Sequence, residues 1–91
     1  MALSKQWRLI FNKTADRQFQ RLEPSLQGRI LHYFDKIIQE PNPKSKAKIM
    51  RGNMHSFHRY RIGDYRVICY FEDDNMVIVA VKIGHRRDVY N

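Results

Sequence analysis

The stretch Tyr60-Arg-Ile-Gly-Asp-Tyr-Arg-Val-Ile-Cys-Tyr70 decides the fold. Two runs rich in aromatic and β-branched residues flank Gly63-Asp64, the pattern of a hairpin with a two-residue loop. In that register Ile62 faces Tyr65, Arg61 faces Arg66 and Tyr60 faces Val67. Alternation then puts Tyr60, Ile62, Tyr65, Val67 and Cys69 on one side, and Arg59, Arg61 and Arg66 on the other. Like charges set directly across a ladder are destabilising. Such an arrangement either accepts that cost, with the arginines splayed into water or paired to carboxylates, or uses an anion to offset it. Guanidinium forks suit phosphate.

Outward from this hairpin the pattern continues. After an acidic turn, Glu72-Asp-Asp-Asn75, Met76–Ile83 reads as a further strand, with Gly84 closing it. Its near-continuous apolar run, Val77–Val81, predicts coverage on both faces. Upstream, Ser56–Ile62 forms the first arm of the hairpin, and Asn42–Lys48 reads as a basic loop. The N-terminal half changes period: Gln6–Phe11 predicts a strand, and Asn12 caps a helix carrying Ala15, Phe19 and Leu22. Glu23-Pro24 breaks that helix. A second follows from Leu26 to Ile38, with a stripe of Leu26, Ile30, Tyr33, Phe34, Ile37 and Ile38, ended by Pro41-Asn-Pro43. The order β-α-α-β-β-β predicts an α+β fold: an N-terminal strand, a two-helix hairpin covering one side, then a mainly antiparallel sheet of three further strands. The expected core sets Phe19, Leu22, Ile30, Phe34 and Ile37 against Val67, Cys69, Ile78 and Ala80.

Ninety-one residues allow one domain, expected to span 1–91, and leave no room for a deep cofactor chamber. The single cysteine, Cys69, excludes an internal disulfide framework and any multi-cysteine zinc site. No long apolar run marks a signal peptide or a membrane span, so a soluble, cytoplasmic protein without membrane partners is expected. Seventeen Lys+Arg against nine Asp+Glu give a net charge of +8, unevenly spread. Pro41–Gly63 holds Lys44, Lys46, Lys48, Arg51, Arg59 and Arg61, two histidines and no acid. A second basic group, Lys82, His85, Arg86 and Arg87, sits near the C-terminus with only Asp88 beside it. Nucleic acid or an acidic protein is the partner such a surface suits, and charge alone does not choose between them.

The tail His85-Arg86-Arg87-Asp88-Val89-Tyr90 adds chemistry. Like charge from two arginines favours a neutral imidazole at His85, free to take a proton. Arginine is too weak an acid to serve as a base, and its role is to hold phosphate and balance developing charge. Tyr90 can donate or relay a proton, stack on a base, or simply pack as a terminal aromatic. With no paired carboxylate cluster, HxH or CxxC, no metal or other cofactor is expected. Arginines with histidine or tyrosine around a phosphate suit attack of an RNA 2′-hydroxyl on its own phosphodiester.

Tyr60–Tyr70, followed by Val81-Lys-Ile-Gly-His-Arg-Arg-Asp-Val-Tyr90, resembles the RelE/ParE superfamily of bacterial toxin–antitoxin toxins, specifically the RelE branch. Met50-Arg51-Gly52 stands where that superfamily usually has Leu-Arg-Gly, and the two helices match its helical hairpin. The resemblance implies an mRNA interferase that cuts the codon in the ribosomal A site without metal, leaving a 2′,3′-cyclic phosphate and a 5′-hydroxyl. It implies active residues at Arg59 and Arg61, at Arg66 on the next strand, at Arg86 and at Tyr90, with His85 a candidate for proton transfer. The catalytic set expected is therefore Arg61, Arg66, His85, Arg86 and Tyr90, and the RNA-binding set Lys44, Lys46, Lys48, Arg51, Arg59 and Arg87. His85 and Tyr90 both stand as the general base. The implied partners are a cognate antitoxin and the mRNA-bearing ribosome, with no specific DNA contact. The other reading is a ParE-like toxin that inhibits DNA gyrase by binding alone; it needs no convergence of these residues.

Overall fold

The computed structural model describes residues 6–50 and 56–87. The chain runs β1 (Arg8–Phe11), α1 (Lys13–Gln20), α2 (Pro24–Ile37), β2 (Lys48–Ile49), β3 (His58–Ile62), β4 (Tyr65–Glu72) and β5 (Val77–His85). The strands form one mixed sheet in the order β1-β5-β4-β3-β2. The α+β reading holds, and β1 lies parallel to β5 while every other pair is antiparallel. Crossing over through the helical hairpin returns the chain to β1's neighbour only after β4, so β5 lies between β1 and β4.

Local chemistry explains the element ends. The Asn12 side chain accepts from the Ala15 amide at 2.8 Å, capping α1 as its position predicts. α2 starts at Pro24 instead of Leu26, because proline lacks only an amide that a first turn leaves unpaired anyway. Gly63 has φ +57°, the left-handed backbone a tight hairpin needs at its first central residue. One helix-facing core contains Phe19, Ile30, Phe34, Ile37, Tyr60, Ile62, Val67, Cys69, Ile78, Ala80 and Ile83, with Leu22 packed at its margin. Val77–Ala80 are buried throughout.

Three features depart from expectation. The basic loop is ordered: Pro43–Lys46 form a 3-10 turn, and Lys48–Ile49 add a two-residue edge strand, so four strands follow the helices. That strand forms because β3 offers a free edge, pairing Lys48 with Arg59 and Ile49 with His58. β5 runs through Gly84 to His85. Finally, β5 bulges: Cys69 pairs with Ala80 but Ile68 pairs with Lys82, leaving Val81 as the extra residue. Val81 thereby joins a second, smaller apolar cluster with Met50, Phe57 and Ile68 on the sheet face away from the helices.

Candidate active site

The hairpin register reads as the sequence predicts, with Arg61 opposite Arg66 and Ile62 opposite Tyr65. On the face away from the helices Arg66 is 8% exposed, and its next neighbour on β5 is Gly84, which has no side chain to fill the space. One guanidinium nitrogen of Arg66, Nη1, is buried and has no hydrogen-bond partner among the described residues. Burial, then the like charges of Arg61, Arg59 and Arg86, push the Arg66 guanidinium below the ordinary arginine range, against a smaller opposing pull from Asp64. It remains a cation, because arginine starts far above neutral pH.

A buried cation with no partner among the described residues, hemmed in by three others, is expensive for a fold. An anion would relieve all of it at once: it would supply the acceptor that Nη1 lacks and counter the repulsion.

Two contacts hold the strand ends that carry this group. The Arg86 amide donates to the Asp64 carbonyl at 2.7 Å, tying the residue after β5 to the β3–β4 turn. Beyond the reach of β1, the Ile83 amide donates to the Gln18 side-chain oxygen at 2.6 Å, so α1 closes an otherwise open edge of β5. Neither contact carries a motif that a single sequence would reveal. The Arg29 guanidinium lies against Gly63, where an added methyl group would meet its Nη2 at 2.8 Å.

His85 is placed differently from the arginines. It pairs with Tyr65, on the side of the sheet shared with Ile62 and Val67, and its ring meets that of Tyr65 edge-on at 5.5 Å. The Arg87 amide donates to His85 Nδ1 at 3.3 Å, which in the neutral ring leaves the hydrogen on Nε2. The bulge causes this placement: without Val81 as the extra residue, continuing the Cys69–Ala80 pairing would bring Ile83 opposite Arg66 and turn His85 to the arginine face.

The expected RNA-binding residues divide. Lys46, Lys48, Arg59 and Arg61 line one cavity of about 320 Å3 together with Tyr33, Ser45 and Ala47. Arg59 is 6% exposed. Lys44 is elsewhere: its ammonium pairs with Asp73 at 2.9 Å and lies 5.4 Å from the centre of the Phe71 ring. That position is seven residues along from Arg66, about 23 Å of strand. Arg87 is exposed. Arg51 and Tyr90 lie outside the described residues. Tyr33 is a cavity residue the sequence reading placed only in the helical stripe.

Another cavity, about 410 Å3, sits at the helix turn, where Arg21 and Arg29 are balanced by Glu23 and Asp64. Its mixed charge gives an anion little preference. No helix among the described residues is long and apolar enough to cross a membrane.

Comparison with known proteins agrees with the fold. A family model described as the ParE toxin of type II toxin–antitoxin system, parDE, matches residues 4–90. Toxin RelG of Mycobacterium tuberculosis is 26% identical over 81 residues, covering 88% of this chain and 91% of that protein. The toxin–antitoxin complex RelBE2 of the same organism superposes with a TM-score of 0.80 at 23% identity, covering 90% of this chain and all (100%) of the matched one. The archaeal RelE–RelB complex of Pyrococcus horikoshii matches with a TM-score of 0.68 at 28% identity, covering 91% and 98%.

Proposed function

The chain belongs to the ParE toxin family of type II toxin–antitoxin systems, within the RelE/ParE superfamily, and from that premise we propose that it is a metal-independent endoribonuclease that cleaves mRNA in the ribosomal A site. The observation that carries the reading is Arg66, buried, with an Nη1 that has no partner among the described residues, and pressed by Arg59, Arg61 and Arg86. A phosphodiester supplies the acceptor oxygens that such a guanidinium fits. In the cleavage, the 2′-oxygen attacks the adjacent phosphorus, the bond from phosphorus to the 5′-oxygen breaks, and a 2′,3′-cyclic phosphate and a 5′-hydroxyl result. Arg61, Arg66 and Arg86 bind the non-bridging oxygens and stabilise the charge that builds on them.

One group must take the 2′-hydroxyl proton and another must supply one to the leaving 5′-oxygen. Tyr90 is proposed as the first. His85, with Nδ1 engaged by the Arg87 amide and its ring beside Tyr65, is proposed to set the Arg86–Arg87 turn. Solvent water is proposed to supply the proton to the leaving 5′-oxygen and to take up the one the base has gained.

The partners proposed are a cognate antitoxin, as in the RelBE2 and archaeal RelE–RelB complexes, and the translating ribosome in the cytoplasm. Gyrase inhibition is the second reading, favoured by the ParE description of the matching family. Expression in translating cells with 5′ ends of mRNA mapped, alongside a supercoiling assay with purified gyrase, separates the two. New 5′-hydroxyl ends within codons support the nuclease. Intact mRNA with blocked supercoiling overturns it.

A further inference from the structure

We propose that the cavity beside β3 is a second phosphate subsite, which grips the phosphate adjacent to the one held at Arg66 and lays a single RNA strand along the direction of β3. This rests on the reading of the protein as an RNA-cleaving toxin and specifies how its substrate runs. Lys46, Lys48, Arg59 and Arg61 line the cavity, of about 320 Å3, and no acid is among its lining residues. Among the described residues none of these four cations takes part in an ion pair, whereas Lys44, two residues before Lys46, is bound to Asp73. The fold thus brings an acid to one lysine of the run and, among the described residues, to none of the other three cations.

Spacing gives the direction. Arg59 and Arg61 lie on one face, two residues apart, which is about 6.8 Å along an antiparallel strand. That is the scale of the step between successive phosphates in an extended single strand of nucleic acid. Arg61 faces Arg66, and Arg59 faces Lys48 on the other neighbouring strand. Two cationic rows one phosphate step apart therefore follow each other along β3, with Arg61 shared between site and cavity.

The cavity is also held in shape. Tyr60, fully buried, donates its hydroxyl to the Pro43 carbonyl at 2.7 Å and anchors the 3-10 turn that carries Lys46. Asn42 caps the same turn, its side chain accepting from the Lys44 amide at 3.2 Å. Tyr33 lines the cavity from α2, its ring edge-on to Phe34 at 5.6 Å and to Tyr60 at 5.9 Å. Burial pushes its phenol up, so the hydroxyl stays protonated and able to donate. Four cations in a fixed frame favour a strand of repeating charge over a single small anion.

The test uses uncleavable 2′-O-methyl oligonucleotides: a dinucleoside with one phosphate and a trinucleoside with two. Each is titrated against the full chain, the Lys46→Ala/Lys48→Ala double variant and a Lys36→Ala charge control. For the parent and the control, the second phosphate should raise affinity and steepen the slope of log K against log salt by about 0.7, the value for one phosphate contact on a single strand. In the double variant that gain should vanish while dinucleoside binding persists. Both lysines are exposed, and circular dichroism checks that the variant folds. A gain of the same size in parent and double variant overturns the subsite and leaves the nuclease reading standing. A parent that binds neither oligonucleotide, but binds a glutamate-rich peptide through Lys46 and Lys48, overturns the subsite and assigns the cavity to protein docking, while the nuclease reading stands or falls on the mapped mRNA ends.

Discussion

The Tyr60 hydroxyl and the Pro43 carbonyl are joined by a 2.7 Å hydrogen bond, buried between the sheet and the basic turn. Burial, with smaller contributions from Cys69 and Tyr33, pushes the Tyr60 phenol far up, so it is a donor at every ordinary pH. Tyr60→Phe keeps the ring, its 5.0 Å edge contact with Phe34 and the core volume, and removes only the donor. The Pro43 carbonyl is then left without its partner, at a cost of about 1–3 kcal/mol. We expect a lower urea midpoint with an unchanged slope, and faster amide exchange at Lys44–Ala47. An unchanged midpoint would show that water replaces the hydroxyl without loss.

Arg66 should trade stability against function. Replacing it with methionine of similar length removes a buried cation that has no partner among the described residues, and its repulsion from Arg61, Arg59 and Arg86. Arg66→Met is expected to melt no lower than the parent, while cleavage on programmed ribosomes falls by roughly 10²-fold or more. Inorganic phosphate should raise the melting temperature of the parent and not of the variant, since an anion stabilises only the state that binds it. A variant that melts well below the parent would make Arg66 a structural residue instead.

The opposition of Arg61 and Arg66 was readable because Gly63-Asp64 fixes the hairpin register with local chemistry alone. The helix-facing core was readable for the same reason, through period and turn signals at Asn12, Pro24 and Pro41. The two-residue strand Lys48–Ile49 was not, because it exists only by pairing with His58 and Arg59 and has no pattern of its own. The bulge at Val81 was hidden inside an unbroken apolar run, where either face accepts the residue. That single residue decides the side on which His85 falls, and grouping His85 with the arginines amounts to reading β5 without it. Lys44 and Lys46 look alike in sequence, and only the fold brings Asp73 to the first.

His58 sets an acid limit on stability. Its Nδ1 is buried without a partner among the described residues, and its ring lies edge-on to Phe71 at 4.9 Å. Burial, then the charge of Lys44, lower its proton affinity, and Asp73 opposes them weakly. The folded protein therefore binds this proton less readily than the unfolded chain, whose histidine titrates near 6.5. The stabilisation is fully present above that pH, declines as pH falls below it, and is lost once pH passes the lower folded value. Melting temperatures between about pH 7.5 and 5 should fall more steeply for the parent than for His58→Gln. Parallel curves for the two proteins would refute the assignment.

The last prediction concerns the proton taken from the 2′-hydroxyl. His85 Nδ1 accepts the Arg87 amide, and the ring stands beside Tyr65 on the face opposite Arg66, so its lone pair is already engaged. If Tyr90 is the base, single-turnover rates on programmed ribosomes should rise with pH through the alkaline range in the parent and in His85→Ala. Tyr90→Phe should flatten that rise and lower the rate by roughly 10²-fold or more. His85→Ala should slow cleavage by loosening the turn that carries Arg86, without moving the pH profile, and His85→Asn should restore part of the rate, since its side-chain oxygen can accept the Arg87 amide in place of Nδ1. The opposite pattern would return the base role to the histidine: an acid limb in the histidine range for the parent, abolished by His85→Ala and unrescued by asparagine. Loss of folding in either variant is checked by circular dichroism before rates are compared, so the profile reports on chemistry and the rescue reports on position.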